Sequence, residues 1–345
     1  MEGEGSRSAV ITSALVDRVQ GVLAAACMEE DSTSSLRQLP CMIFQRETVA
    51  YSECDPRWLT EPRAVSIGPY TRHRYHGVAR LETMQNHKWL CTGRLIYARD
   101  NTSDSAGTTI RRCLETIEGL ERRIRAAYFD ELRLSSDELI LTVLLDACFL
   151  IFILMLHADP SSREQFGFSD YLNEELGDHQ ILSMVKHDLL LLGNQIPFFV
   201  IRALCSEIMP DTPHESLVSG ALQLFSTIWH CKPAANSMAV ITCDKILHLL
   251  HLFHLSVVPG SDQRDEQPRS LQRPSQGTRV VLPPATVLEK AGIRFGPRDN
   301  ACSFMDVRFS NGALLIPPLQ VDGNIGVVLG SLIALSSFTV VHLTM

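Results

Sequence analysis

The segment CDKILHLLHLFHLS contains the residue types that most readily bind a metal ion. On a helix His248 and His251 are neighbours, Asp244 lies one turn before His248, and His254 continues the row, so a metal could be held. The same residues also form the polar stripe of an ordinary amphipathic helix, whose other side is apolar. Because such helix faces are common and no fourth ligand is indicated, we favour the amphipathic helix and predict no metal or cofactor.

Two aspartates, Asp146 and Asp188, stand beside long apolar runs. A buried carboxylate needs hydrogen-bond partners, so we expect each to bind a helix end, a turn or an arginine. A role as general acid or base is the alternative, and nothing else in the sequence supports it. A third acidic segment, Asp170 to Asp178 with His179, lacks the alternation and glycine of a calcium loop and is interpreted as a solvated connector.

Local catalytic signatures are missing from the sequence. It has no G-x-S-x-G elbow, no G-x-x-x-x-G-K-[ST] phosphate loop, no H-E-x-x-H and no G-x-G-x-x-G after a strand. We therefore predict no catalytic residues and a protein that is not an enzyme.

Composition narrows the class of protein. The chain has 345 residues, 45% hydrophobic and 20% charged, which is enough apolar material for a sizeable core. The formal net charge of −8 argues against a general nucleic-acid binder, which carries a basic footprint. Ten cysteines occur without any C-x-x-C pair, which indicates thiols in a reducing compartment.

Two apolar stretches are long enough to be weighed as membrane spans. Leu139 to Leu156 approaches the roughly 20 residues that a span needs, with Asp146 at its centre. The alternative, which we favour, is a core helix that is apolar all round because it is buried on every side. Ile325 to Met345 has no charged residue, but glycine, serine, threonine and histidine dilute it, so it is a marginal tail anchor.

Hydrophobic periodicity predicts a mostly helical chain. A polar break at Asn101–Gly107 precedes one helix, which Thr108 or Thr109 caps. Gly193 ends another, and the residues before Pro197 form a turn. The predicted helices, besides the apolar stretch, are Ala79–Ala98, a helix from Thr108 or Thr109, His179–Leu192, Phe198–Met209, Leu217–Trp229 and Ala239–Val257.

The C-terminal part differs from the rest of the chain in composition and in hydrophobic pattern. Residues 259–278 are rich in proline, serine and charge and are predicted to be a linker. Ser303–Phe309 and Ala313–Ile316 flank Asn311-Gly312, the strongest short signal for a β-hairpin. The fold class is therefore mainly α, an irregular multi-helix bundle with a small C-terminal β-hairpin element. Its expected parts are an N-terminal helix and loop (1–58), a helical core (59–258), a flexible linker (259–282), a small β element (283–324) and an apolar C-terminus (325–345).

Several segments, taken in order, resemble the plant family known as domain of unknown function 247. They span Val65 to Leu335 and include VSIGPY, LETMQNHKW, LLDACFLI, DLLLLGNQIPFFVI, ATVLEKAGIRF and MDVRFSNGALLIPPLQVD. We predict that the motif residues serve the structure rather than catalysis: Gly68, Pro69, Asp146, Asp188, Asn194, Gln195, Pro197, Asn311 and Gly312.

The chain also departs from the family pattern. Gly193 stands where members usually have Glu, which puts in doubt any charged partner of that residue. Members typically continue further and finish with a membrane-anchoring helix, whereas the likeness here stops near Leu335. The resemblance therefore implies a product truncated at its C-terminus, membrane-associated through its apolar end, or cytoplasmic if it lacks the anchor.

What the resemblance implies about function is recognition rather than catalysis, since some grass members are linked to pollen–stigma self-incompatibility. We expect a non-enzymatic interaction protein that binds a protein partner of unknown identity and no nucleic acid, with membrane association possible through the C-terminal apolar segment. The alternatives are a truncated paralogue without independent activity and an unrecognised hydrolase or metal enzyme. The last would gain if Asp146 or Asp188 stood beside a histidine in a concave pocket.

Overall fold

The computed structural model describes residues 43–44, 61–72, 78–97, 103–158, 179–228, 241–257, 283–299, 301, 303–319 and 325–342. Three predicted features fall outside these ranges: the N-terminal helix, the acidic connector and the linker at 259–278.

Helices dominate the described residues and a small sheet lies near the C-terminus, which confirms the predicted fold class. The helices are α1 (Pro69–Arg72), α2 (Ala79–Tyr97), α3 (Ser103–Ala126), α4 (Ser136–Ala158), α5 (His179–Asp188), α6 (Phe198–Ile208), α7 (His214–Phe225), a 3-10 turn (Cys243–Lys245), α8 (Leu249–Val257), α9 (Ala285–Lys290) and α10 (Ile325–His342). The strands are β1 (Arg294–Pro297), β2 (Arg308–Ser310) and β3 (Ala313–Ile316).

Helix α4 forms the centre of the core. Every residue from Thr142 to Leu156 is buried, and helices α2, α3, α6 and α7 pack around it. The approach of α7 is so close that a β-carbon at Gly220 would lie 2.0 Å from the carbonyl oxygen of Leu154. By length and composition α4 could cross a membrane, but 89% of its most apolar stretch of 18 residues is buried inside the protein. It is the core helix that all-round apolarity predicts.

Helix α3 begins earlier than predicted. The polar break was expected to delay the helix to Thr108 or Thr109, but it starts at Ser103. A glycine inside a helix costs only about 1 kcal/mol, so Gly107 does not stop it. Burial of Ile117 and Ile124 on the inner face outweighs that cost.

Two other predicted helices were wrong in extent. Ala239–Val257 is not one helix, because the chain makes a 3-10 turn at Cys243–Lys245 and begins α8 only at Leu249. Helix α7 starts at His214 rather than Leu217, directly after Pro213, whose backbone is extended (φ −62°, ψ 138°). Proline is tolerated just before a helix because its missing N–H removes no hydrogen bond of the helix there.

The sheet contains the predicted hairpin and one strand that was missed. Strands β2 and β3 pair antiparallel through the turn at Asn311 (φ 50°) and Gly312 (φ 70°), the positive values that a type I′ turn needs. Strand β1 pairs with β3 in parallel, giving the order β1-β3-β2. The predicted strand Ser303–Phe309 is replaced by the shorter β2 (Arg308–Ser310), because residues 303–306 form a turn in which the Asp306 N–H donates to the carbonyl of Ser303 at 3.0 Å.

Helix α10 packs on the helical body. Val328 and Leu332 are buried in the main core, and Ser336 lies 3.2 Å from the Nε2 atom of His254 on α8. One side of the helix remains open, since Ile333 is half exposed.

The described cysteines are buried thiols rather than disulfides, as their spacing predicts; they are Cys91, Cys113, Cys148, Cys205 and Cys243.

Candidate functional site

Residues 61–72, here called the strap, cross the core as an irregular segment that ends in the short helix α1. Asp188, at the last position of α5, holds the beginning of the strap. Its carboxylate accepts hydrogen bonds from the backbone N–H groups of Arg63 (3.0 Å), Ala64 (2.6 Å) and Val65 (2.8 Å). Burial raises the pKa of Asp188 to about 6, although these three donors act to lower it.

Asn194 holds the middle of the strap. Its Oδ1 atom accepts a hydrogen bond from the Ile67 N–H at 2.6 Å, and its Nδ2 atom donates to the carbonyl of Val65 at 3.0 Å. The same Nδ2 donates to the carbonyl of Asp188 at 2.9 Å. The side-chain amide of Asn194 therefore binds one backbone N–H group and one backbone carbonyl of the strap.

The turn after α5 also explains why that helix ends at Asp188, four residues before the predicted Leu192. The last carbonyls of a helix have no partner within it. The Nδ2 atom of Asn194 supplies such a partner for the Asp188 carbonyl (2.9 Å), and the Nε2 atom of Gln195 donates to the carbonyls of Leu189 (2.7 Å) and Leu191 (2.9 Å), just after the helix. Side chains thus bind the carbonyls of Asp188, Leu189 and Leu191. The chain can therefore leave the helix here without leaving any of these three buried carbonyls unpaired.

Gly68 lies where the strap meets this turn. Its φ is +81°, and a β-carbon there would lie 2.4 Å from the carbonyl oxygen of Gln195. The hydroxyl of Tyr128 donates to that same oxygen at 3.0 Å, so the space is filled from both sides. Only glycine fits this backbone geometry and this gap. The two prolines of the motifs follow directly, Pro69 as the first residue of α1 and Pro197 as the residue before α6.

Asp146, on α4, holds the end of the strap and is paired with a lysine. Its Oδ2 atom accepts the Gly68 N–H at 2.7 Å, and its Oδ1 atom accepts a hydrogen bond from the Nζ atom of Lys88 on α2. Lys88 also donates to the carbonyl of Ser66. The two charged side chains are only 4% and 2% exposed, so this is a buried ion pair.

Lys88 is the main residue of the site that sequence reasoning missed. The expected partners of Asp146 were a helix end, a turn or an arginine, and the structure supplies a turn and a lysine. A signal was present, because Lys88 follows Leu81 and Met84 and precedes Cys91 and Leu95 at helical spacing, on the buried face of α2. A charge on an apolar stripe indicates a buried partner.

A cleft open on one side lies against this ion pair. Its volume is about 270 Å³. The base contains Lys88 and Asp146, and the walls include Ser66 and Thr71 of the strap, Gln85 and Asn86 of α2, and Thr142 of α4.

The histidine run is used for local hydrogen bonds. The Nδ1 atom of His248 accepts the N–H of His251 at 3.2 Å, and the Nδ1 atom of His251 accepts the N–H of Leu247 at 3.2 Å. Burial lowers the pKa of His251 to about 4, which favours its neutral form. Asp244 lies in the separate 3-10 turn and pairs with Arg202 at 2.5 Å. Within the ranges that the structure describes, no group of three or more His, Cys, Asp or Glu side chains is arranged to hold a metal ion.

Six of the nine motif residues thus lie in the strap or contact it, Pro197 directly precedes α6 just after them, and the remaining two, Asn311 and Gly312, form the β2–β3 turn. The family described as plant protein of unknown function, DUF247, matches residues 47–343. The chain belongs to this family. The DUF247 resemblance inferred from the ordered motifs is confirmed. The expectation that the likeness stops near Leu335 was wrong, because the match extends to residue 343. The molecular function of the family is unknown.

Curated relatives agree with this assignment. Over 321 residues the DUF247 chain is 26% identical to UPF0481 protein At3g47200 of Arabidopsis thaliana, covering 86% of this chain and 61% of that protein. It is 24% identical over 212 residues to putative UPF0481 protein At3g02645 of the same plant, covering 59% of this chain and 35% of that protein. The matches therefore span less than two thirds of these relatives. No solved structure matches the chain.

Proposed function

We propose that this DUF247 chain is a non-enzymatic recognition protein that binds another protein through the outer face of α2. The observation that carries the proposal is a row of large exposed side chains on that helix: Trp89 is 51% exposed, Leu90 48% and Tyr97 55%. Trp89 and Tyr97 lie two helical turns apart with Gly93 between them, so they stand on one face. Tryptophan and tyrosine are the residue types that most often dominate binding energy at protein interfaces.

The opposite face of α2 makes this row rigid. Met84, Lys88, Cys91 and Leu95 are buried, and the helix packs on α4. A partner that binds a preorganised helix loses less conformational entropy than one that must order a loop. The exposed row is therefore presented on a fixed support, and we expect the partner to offer an apolar surface that covers both aromatic rings.

Two features of the buried groups support the non-enzymatic part of the proposal. Both acidic side chains of the strap junction are engaged with backbone N–H groups, and Asp146 is also neutralised by Lys88. Burial raises the pKa of the Cys113 and Cys205 thiols to about 11, which disfavours the nucleophilic thiolate. The link of some grass relatives to self-incompatibility also favours recognition over catalysis.

The proposal can be tested by site-specific photo-crosslinking. Benzoylphenylalanine is placed in the full chain at Trp89, at Tyr97 and, as a matched control, at Phe309, which is 53% exposed on β2. In plant extract we expect one protein to be crosslinked from both α2 positions and not from position 309. The identified protein should then bind the Trp89→Ala chain at least tenfold more weakly, with the unfolding midpoint unchanged. Equal adducts from all three positions, no adduct at all, or unaltered affinity after Trp89→Ala would refute the proposal.

A further inference from the structure

The geometry of the cleft at the Lys88–Asp146 pair points to a second binding site, for a small neutral ligand rich in hydroxyl groups, such as a single sugar unit. This inference is independent of the protein-binding face, because Trp89, Leu90 and Tyr97 are not among the residues that line the cleft. The volume of about 270 Å³ suits such a ligand, being just below the roughly 300–1,000 Å³ of sites for drug-sized molecules.

The hydroxyl groups of the walls have their hydrogens directed into the protein. Ser66 donates to the Oγ1 atom of Thr71 at 2.7 Å, Thr71 donates to the carbonyl of Ile67 at 3.0 Å, and Thr142 donates to the carbonyl of Glu138 at 2.6 Å. A hydroxyl that has donated its hydrogen keeps lone pairs as acceptors. The Ser66 and Thr142 oxygens therefore suit a ligand that brings its own O–H donors.

Donors and further acceptors come from α2. The side-chain amides of Gln85 and Asn86 line the cleft, and each amide carries both an N–H₂ donor and a carbonyl acceptor. Lys88 uses two of its three N–H groups on Asp146 and Ser66. A sugar hydroxyl can both donate and accept a hydrogen bond. The cleft offers it partners of both kinds, whereas a ligand group that only donates or only accepts would use only part of this lining.

Charge excludes the other small polar ligands. An anion would meet the carboxylate of Asp146 and, on the wall, that of Glu82. A cation would meet the ammonium of Lys88, while Asp146 is already engaged with Lys88 and the Gly68 N–H and the attraction of the exposed Glu82 carboxylate is screened by solvent. Desolvating either kind of ion beside a like charge is unfavourable. A neutral ligand avoids both penalties.

The site is also preorganised. The strap wall is fixed by Asp188, Asn194 and Asp146, and the α2 and α4 walls are parts of the packed core. A ligand that enters therefore finds its partners in place, which limits the entropic cost of binding.

Ligand-observed NMR on the full chain tests the inference with neutral probes (glucose, galactose, xylose and arabinose) and charged ones (glucuronate and agmatine). We expect at least one neutral probe to bind with a Kd of about 1 mM, typical of so small a ligand. The combined Gln85→Ala and Asn86→Ala change should weaken it at least tenfold. Gln223→Ala, an exposed amide on α7, is the matched control and should leave Kd unchanged.

Thermal unfolding of each variant shows that the fold is retained. If the double variant fails to fold, the Asn86→Ala chain alone replaces it, since Asn86 is exposed, and at least a threefold weakening is expected. The inference is overturned if glucuronate or agmatine binds more tightly than every neutral probe, if no neutral probe binds below 50 mM (about fifty times the expected Kd), or if binding survives the α2 changes.

Discussion

Gly68 and Gln195 approach so closely that a β-carbon on the glycine would lie 2.4 Å from the carbonyl oxygen of Gln195. This contact joins the strap to the turn after α5, two motifs that are far apart in the sequence. It is surrounded by hydrogen bonds from side chains to backbone, so the motif residues chiefly position the chain. The stability of the fold should therefore depend on this contact and on the buried charges around it.

Replacing Gly68 by alanine should destabilise the protein strongly. The added methyl group collides with a backbone oxygen, and the φ of +81° is unfavourable for any residue with a β-carbon. We expect urea unfolding to show a loss of about 3 kcal/mol or more. Gly119→Ala on α3 is the matched control, because nothing lies within 4 Å of its β-carbon, and it should gain up to about 1 kcal/mol. Equal effects of the two changes would contradict the close contact between Gly68 and the Gln195 carbonyl.

Removing the ammonium of Lys88 should leave Asp146 as a buried charge without its counter-ion. Lys88→Met is expected to cost about 3–5 kcal/mol, the usual effect of breaking a buried ion pair. The added change Asp146→Asn removes the charge and keeps an acceptor for the Gly68 N–H, so the double variant should lose less than the two single losses summed. Lys245→Met, at an exposed lysine, should be nearly neutral. Additive losses in this cycle would argue against a direct pair.

Asp188 should make the stability of the protein depend on pH between about 4 and 6. Its pKa is raised from 3.8 to about 6 in the folded state, so the folded chain binds this proton more tightly than the unfolded chain. Stability from this group is therefore present at low pH and is lost as pH rises through that window, by up to about 3 kcal/mol.

The measurement is the difference in unfolding free energy between the original chain and Asp188→Asn, taken at steps from pH 4 to 7. Because all other titrating groups are shared, their contributions cancel. The original chain should lose stability relative to the variant as pH rises. A difference that is constant with pH, or that changes in the opposite direction, would contradict the raised pKa.

The buried thiols should resist alkylation in the folded protein. Burial raises the pKa of Cys148 far above its usual value and that of Cys113 and Cys205 to about 11, so almost no thiolate is present at pH 8. Iodoacetamide followed by peptide mass spectrometry should label these three positions only after urea is added. Labelling in the native state at the rate seen in urea would show that the core opens readily.

The sequence predicted the burial of Asp146 and Asp188 well, because a lone carboxylate within a long apolar run is carried into the core by its neighbours and must find partners there. It also predicted the hairpin, since Asn311-Gly312 is a local signal. The partners of the two carboxylates were harder to predict, because Lys88 and the strap are distant in the chain. Their pairing depends on how α2 and the strap pack on α4, which periodicity does not specify.

Element ends were the weakest predictions for the same reason. The end of α5 at Asp188 depends on Asn194, whose side chain donates to the Asp188 carbonyl, and on the strap, whose N–H groups bind the Asp188 carboxylate; contacts of this kind override helix propensity. Strand β1 was missed because four residues, Arg294–Pro297, are too few to show alternation.

The hydrogen bond between Arg63 and Asp188 joins residues 125 positions apart. At roughly 5–20 residues per second, a ribosome needs about 6–25 s to synthesise the intervening chain. Throughout that interval the strap has been made, but Asp188, which binds the backbone N–H groups at its beginning, has not. Its backbone amides must stay hydrated, or be shielded by a chaperone, until translation has passed the end of α5. The order in which the chain is made thus places the closing of this junction late in the folding of the nascent protein.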